Sequence, residues 1–153
     1  MGRVRHPEAD APLLRLLGLS VRQLSSDLND KLISAGFTDH RDAFHNVMPH
    51  IPPDGIRLTE LARRAGVSKQ AMAELVGEAE RLDYLQRSPD PSDARAKLIT
   101  FTAKGRKAVG TALASLNEIE RELSDRLGEA SVRRLRKLLL DLVGFQAADR
   151  EPK

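Results

Sequence analysis

The sequence predicts a mainly α-helical protein with one small β-hairpin, an α+β chain. Three observations carry that expectation. Apolar residues recur at helical spacing near both ends. Two short helical stretches in the middle are separated by only Gly66, Val67 and Ser68. Directly after them the pattern changes to two short strand-like runs around a turn-rich segment.

The 153 residues fit one ordinary domain, or one domain with helical arms. Hydrophobic residues make up 41%, enough for a buried core. There is no cysteine, which excludes disulfides, thiolate zinc sites, iron–sulfur clusters and thiol redox switches. The start, Met1 to Asp10, is polar, and the apolar stretch Leu13 to Leu19 is broken by Arg15. Neither a signal peptide nor a spanning segment is expected, so a cytoplasmic location and no membrane partner are expected.

The first helix is expected over about Pro12 to Ala35. Leu17, Val21, Leu24, Leu28 and Leu32 step by three or four residues and line one face. Gly36 is a plausible stop. A second, short helix is expected over Asp39 to Met48 with Thr38 as its N-cap, ended by Pro49, Pro52, Pro53 and the Asp54-Gly55 turn. A third is expected over Thr59 to Ala65, capped by Thr59, and a fourth over Lys69 to Leu82. Tyr84 to Arg87 and Leu98 to Thr102 read as strands, with Ser88 to Asp93 as a long polar tip. Two helices close the chain. Val109, Leu113, Leu116, Leu123 and Leu127, with Ile119 beside them, stripe the first. Val132, Leu135, Leu139, Leu142 and Val143 stripe the second, and Gly128 separates them. The expected division is 1–55 for N-terminal helices, 56–106 for the central lobe, and 107–153 for C-terminal helices. Long apolar faces from opposite ends of the chain would have to pack together or on a second copy.

The central segment runs Leu58-Thr59-Glu60-Leu61-Ala62-Arg63-Arg64-Ala65-Gly66-Val67-Ser68-Lys69-Gln70-Ala71-Met72. A helix–turn–helix needs a small residue where its helices touch, and Ala62 fits. Four positions on it needs a residue tolerant of positive φ, and Gly66 fits. Six further on it needs an apolar residue to seal the second helix onto the first, and Met72 fits. Ser68 is placed to cap the second helix. With the hairpin following directly, this is a winged helix–turn–helix flanked by long helices.

At this point the chain resembles the MarR (multiple antibiotic resistance) family of regulators, over nearly its whole length. The wing carries the sharpest likeness: Asp93-Ala94-Arg95-Ala96-Lys97-Leu98-Ile99-Thr100-Phe101-Thr102-Ala103-Lys104-Gly105. It is similar to the family's Asp and Arg two apart, a strand, then Leu-Thr-x-x-Gly, with Phe101 in place of Leu. The resemblance implies a homodimer joined by terminal helices. Each protomer would place one helix in the major groove and one wing at the minor groove of a pseudo-palindromic duplex. It also implies a small aromatic or phenolic effector, for which Arg41, Phe44, His45 and Met48 are the candidates. Other departures are Glu74 at a groove-facing position, Ala71 and Ala73 in place of frequent hydroxyls, and Asp83 in place of the glycine after the recognition helix.

The chemistry of the side chains supports those roles independently. An exposed helix N-terminus at Ser68 suits phosphate. Gln70 is able to bind adenine, and Lys69 guanine or phosphate. Arg95 and Lys97 at the wing suit a narrow minor groove. Arg95 is also placed to pair with Asp93, and both roles are compatible. Arg63, Arg64 and Arg87 are candidates for flanking phosphates, and Ala71 and Glu74 for the groove face. Charge is consistent: net −1 over 1–55 (six basic, seven acidic), +3 over 56–106 (ten and seven), +1 over 107–153 (nine and eight).

The chain lacks a Gly-rich phosphate loop, Gly-x-Ser-x-Gly and His-Glu-x-x-His, so no enzyme and no cofactor are expected. His40, His45 and His50 are spaced by five, which on a helix puts successive members on different faces, so no metal site is expected. A ligand-responsive repressor is therefore the expected function. The alternatives are a winged-helix protein-interaction module without DNA binding, and a metal-dependent DNA-binding sensor.

Overall fold

A computed structural model describes residues 10–148, without the side chains of Ala94 and residues 145–148. The element order is α1 (Leu13–Ser34), two 3₁₀ turns (Asp42–Asn46 and Met48–His50), β1 (Ile56–Arg57), α2 (Leu58–Ala65), α3 (Lys69–Arg81), β2 (Leu85–Asp90), β3 (Asp93–Phe101), α4 (Ala103–Leu127) and α5 (Glu129–Ala148). The chain divides into two compact units between Ser115 and Leu116, a boundary that falls inside α4. Among the described residues, no helix is long and apolar enough to cross a membrane.

The first unit holds the hairpin and its helices. Three strands form an antiparallel sheet in the order β1-β3-β2, with Ile56 opposite Ile99 and Leu85 opposite Phe101. Leu85 and Ile99 of the sheet are buried, whereas Gln86 and Arg87 are exposed. Leu61 and Ala62 of α2 and Met72, Val76 and Ala79 of α3 complete the core. Tyr84, fully buried, joins the segment before β1 to this core. Its ring lies 5.7 Å from those of His40 and Phe44, and its hydroxyl donates to Asp39 Oδ1 at 2.6 Å. Lys104 Nζ donates to Asp39 Oδ2 at 2.6 Å and to the Leu82 carbonyl at 2.8 Å. One buried ring and one lysine thus tie residues 37–44, α3 and the start of α4 together.

Four sequence expectations need correction. The helix expected over Asp39 to Met48, capped by Thr38, is a turn followed by two 3₁₀ segments. Phe44 N–H donates to the Arg41 carbonyl and Val47 N–H to that of Phe44, three residues back rather than four. The break lies at Val47, with φ −110°, and Pro49 in the first turn of the second segment has no N–H to carry a helix on from the first. Thr59 does not cap α2, because the helix begins one residue earlier and Arg57 occupies the cap without a side-chain bond. The hairpin is longer than expected: pairing runs out to Asp90 opposite Asp93 around Pro91-Ser92, with a shift of register between Pro89 and Asp90 that leaves residues 94–96 without a partner on β2. Pro89 is tolerated because β2 is an edge strand. The two-residue strand β1 is too short to leave a pattern and was not expected.

Burial along α1 is confined to its C-terminal half. Leu28 and Leu32 are buried, whereas Val21 on the same stripe is 64% exposed. In the second unit, Leu135, Leu138, Leu139, Leu140, Leu142 and Val143 of α5 are all exposed. An exposed apolar surface on this scale marks an interface.

Candidate nucleic-acid interface

The turn between α2 and α3 is built as its residues dictate. Gly66 takes φ 68° and ψ 27°, the left-handed conformation that a side chain resists, and Val67 N–H donates to the Ala62 carbonyl. Ala62 and Met72 are both buried where the two helices meet. Ser68 Oγ accepts from Ala71 N–H at 3.1 Å, so the hydroxyl satisfies one free donor of the first turn of α3. Lys69 and Gln70 project into solvent there. Ala71 is half-buried. Gln70 Nε2 lies 3.5 Å from Glu74 Oε1, one turn along the exposed face.

The helix–turn–helix arginines are not idle. Arg63 and Arg64 both bond Glu60, at 2.7 and 2.9 Å, and hold its carboxyl down at about 2. Arg87 pairs with Glu80 at 3.2 Å. These contacts are exposed, so they are weak and exchangeable for phosphate. Among the described residues, Lys69, Arg95 and Lys97 carry no intramolecular ion pair. Asp93 does not bind the Arg95 guanidinium; its Oδ1 accepts the Arg95 backbone N–H at 3.0 Å. Asp93 thus shapes the backbone of the wing and leaves the Arg95 side chain exposed.

Sequence reasoning missed Arg57. It sits at the end of β1 and reaches the wing tip, where Nε donates to Asp90 Oδ2 at 2.8 Å and Nη2 lies 3.5 Å from Asp93 Oδ2. Asp90 is only 6% exposed. Its carboxyl is held at about 2, first by the Ser92 hydroxyl and backbone N–H and then by Arg57. No local signal marks this contact, since 33 residues separate its partners.

The residues expected to meet an effector are placed otherwise than in a cleft. Phe44 and Met48 are core residues, 1% and 8% exposed. Arg41 reaches Glu78 at 3.3 Å. His45 stacks near His40, with ring centroids 4.9 Å apart. That pairing overturns the expectation that the two histidines lie on different faces, because the backbone between them is not a continuous helix. His40 Nδ1 and both ring nitrogens of His45 are buried without a hydrogen-bond partner among the described residues. Burial, then the neighbouring His45, pushes the His40 imidazole down to about 4. Among the described residues, no group of three or more potential ligands is placed to hold a metal ion. A separate cleft of about 390 Å³ is lined by Ile51, Pro53, Gln86, Thr100, Phe101 and Val109, with Arg106 as its cation.

A MarR family model matches residues 45–96, the stretch that carries this turn and most of the wing. The likeness to the MarR family in sequence thus rests on the central lobe. Solved structures of MarR and similar regulators share the fold over most of the chain's length. The apo form of wild-type MarR from E. coli is 23% identical, with a TM-score of 0.66, and the match covers 86% of this chain and 96% of that one. The transcriptional repressor CouR bound to a 23-mer DNA duplex is 21% identical, with a TM-score of 0.68 over 95% of this chain and 99% of that one. The S. aureus MepR–DNA complex is 19% identical, with a TM-score of 0.68 over 87% and 97%. No curated protein matches the sequence. Asp83, just after α3, takes φ 60°, the left-handed region that glycine adopts without strain. Gly105 is required by contact: a Cβ there would overlap the Tyr84 carbonyl oxygen.

Proposed function

We propose that the chain is a homodimeric regulator of transcription that binds double-stranded DNA sequence-specifically and acts as a ligand-released repressor. The observation that carries this reading is the N-terminus of α3. It is capped by Ser68, exposed, and flanked by unpaired Lys69 and outward-facing Gln70. A groove-reading helix needs free donors, a cation and a base-reading amide at one end, and these three coincide here. The DNA duplexes bound by CouR and MepR support the reading, as does CouR from Rhodococcus jostii RHA1 bound to p-coumaroyl-CoA. The role is that of a binding protein rather than a catalyst.

Two protomers, joined through the exposed leucines of α5, would present two copies of α3 to half-sites about 34–36 Å apart. The proposed switch is a population shift: a small aromatic ligand favours a dimer in which that spacing is wrong. The Arg106 cleft is the effector site we favour over the Arg41, Phe44, His45 and Met48 set, because two of those four are core residues.

The test is a mobility shift on the chain's native promoter region, titrated with salt. Specific binding should weaken steeply as salt rises, with a slope set by the phosphates neutralised. Absence of specific binding at low salt would overturn the reading. Glu74, exposed on the α3 face, motivates a second one, a winged-helix module that docks a protein. In that case no duplex would be retained while a partner protein is.

A further inference from the structure

Resting on the DNA-binding reading, we propose that Arg57 is the positioning residue of the wing: it locks the hairpin tip in the conformation that presents Arg95 to DNA. The contacts form an unbroken chain. Arg57 is held at the sheet by the pairing of β1 with β3, opposite Leu98. Its guanidinium grips Asp90 Oδ2 through Nε at 2.8 Å and Nη2 at 2.7 Å. The other oxygen of Asp90 accepts both the backbone N–H and the hydroxyl of Ser92, at 2.8 and 2.6 Å, and so sets the two-residue tip. Arg57 also approaches Asp93, whose second oxygen fixes the Arg95 backbone N–H.

Two physical effects follow from removing the guanidinium. Asp90 and Asp93 stand opposite each other in the register, and like charges in that relation repel. The tip would then open, and Arg95 would lose its fixed backbone. Two uncompensated carboxylates would also face the phosphates that the wing must approach. Arg57 acts through Arg95 and is not itself asked to touch a base. A lysine at this position keeps the charge but loses the fork that holds Asp90 at two nitrogens.

The experiment is a double-mutant cycle read on duplex affinity, using a duplex that the wild-type protein selects from a randomised pool. Arg95→Ala should weaken binding about tenfold, and Arg57→Gln by a similar factor. The double variant should bind within about twofold of Arg95→Ala alone, since the second change removes a support whose load is already gone. Arg57→Lys should recover part of the loss. Melting curves accompany each variant; if Arg57→Gln fails to fold, Arg57→Lys takes its place in the cycle. Losses that multiply would show that Arg57 contacts DNA directly, and they would overturn the inference. So would Arg57→Gln binding within twofold of wild type. If the wild-type protein selects no duplex, the DNA-binding reading itself fails, and the inference with it.

Discussion

Single side chains carry the proposed recognition chemistry and one pH response. Gln70 carries the only amide at the exposed start of α3, and we expect Gln70→Ala to relax base preference at one or two positions per half-site. The cost there should be about 1–3 kcal/mol, read by comparing all single-base variants of the site. An unchanged profile would remove Gln70 from recognition. His40 is held neutral by burial, with a folded value near 4 against an ordinary 6.5. Aspartates 42 and 39 favour its charged form, but burial and the neighbouring His45 both oppose it and prevail. A depressed folded value means stability that is complete above about pH 6.5 and is lost as pH falls toward 4. The loss should be of order 3 kcal/mol. Chemical denaturation from pH 7 to 4 should show it, and His40→Gln should flatten the curve. Lys104 and Tyr84 hold the Asp39 carboxyl below its usual range, so its contribution persists until more acid conditions.

Whole elements depend on two backbone positions. Gly105, in the first turn of α4, lies against the Tyr84 carbonyl, and its N–H donates to the Thr102 hydroxyl at 2.9 Å. Gly105→Ala should therefore cost about 2–4 kcal/mol in thermal unfolding, because backbone rather than a flexible side chain must move. Asp83 closes α3 in the left-handed region. Asp83→Gly should stabilise by about 0.5–1 kcal/mol, since an L-residue there is strained and glycine is not. No gain in melting temperature would mean that the Asp83 side chain contributes something the backbone does not show. The wing-strand motif that resembles the MarR family was legible in the sequence because each residue does a local job: Thr102 caps, Gly105 clears a carbonyl, Asp93 bonds the amide two residues on. The 3₁₀ character of residues 42–50 was not legible. A helical pattern of apolar residues there is equally satisfied by Phe44, Val47 and Met48 packing inward from a tighter, interrupted turn.

At the scale of the molecule, the exposed leucines of α5 call for a partner surface. Leu139→Glu should shift sedimentation from twice 16.9 kDa toward a single chain and abolish binding to two-half-site DNA. A variant that stays dimeric would move the interface elsewhere. By itself the sequence determined the helix–turn–helix, from the spacing of Ala62, Gly66 and Met72, and the cap at Ser68. Such features are decided by backbone conformation and contacts within a few residues, so composition and spacing record them. The tertiary structure alone decided that Arg57 grips the wing tip, that His40 meets His45, and that Tyr84 joins Asp39 to the start of α4. Arg57–Asp90 and Tyr84–Asp39 span 33 and 45 residues, and no periodicity encodes them. The two histidines are close in sequence, but only an irregular backbone brings their rings together, and that irregularity comes from packing rather than propensity.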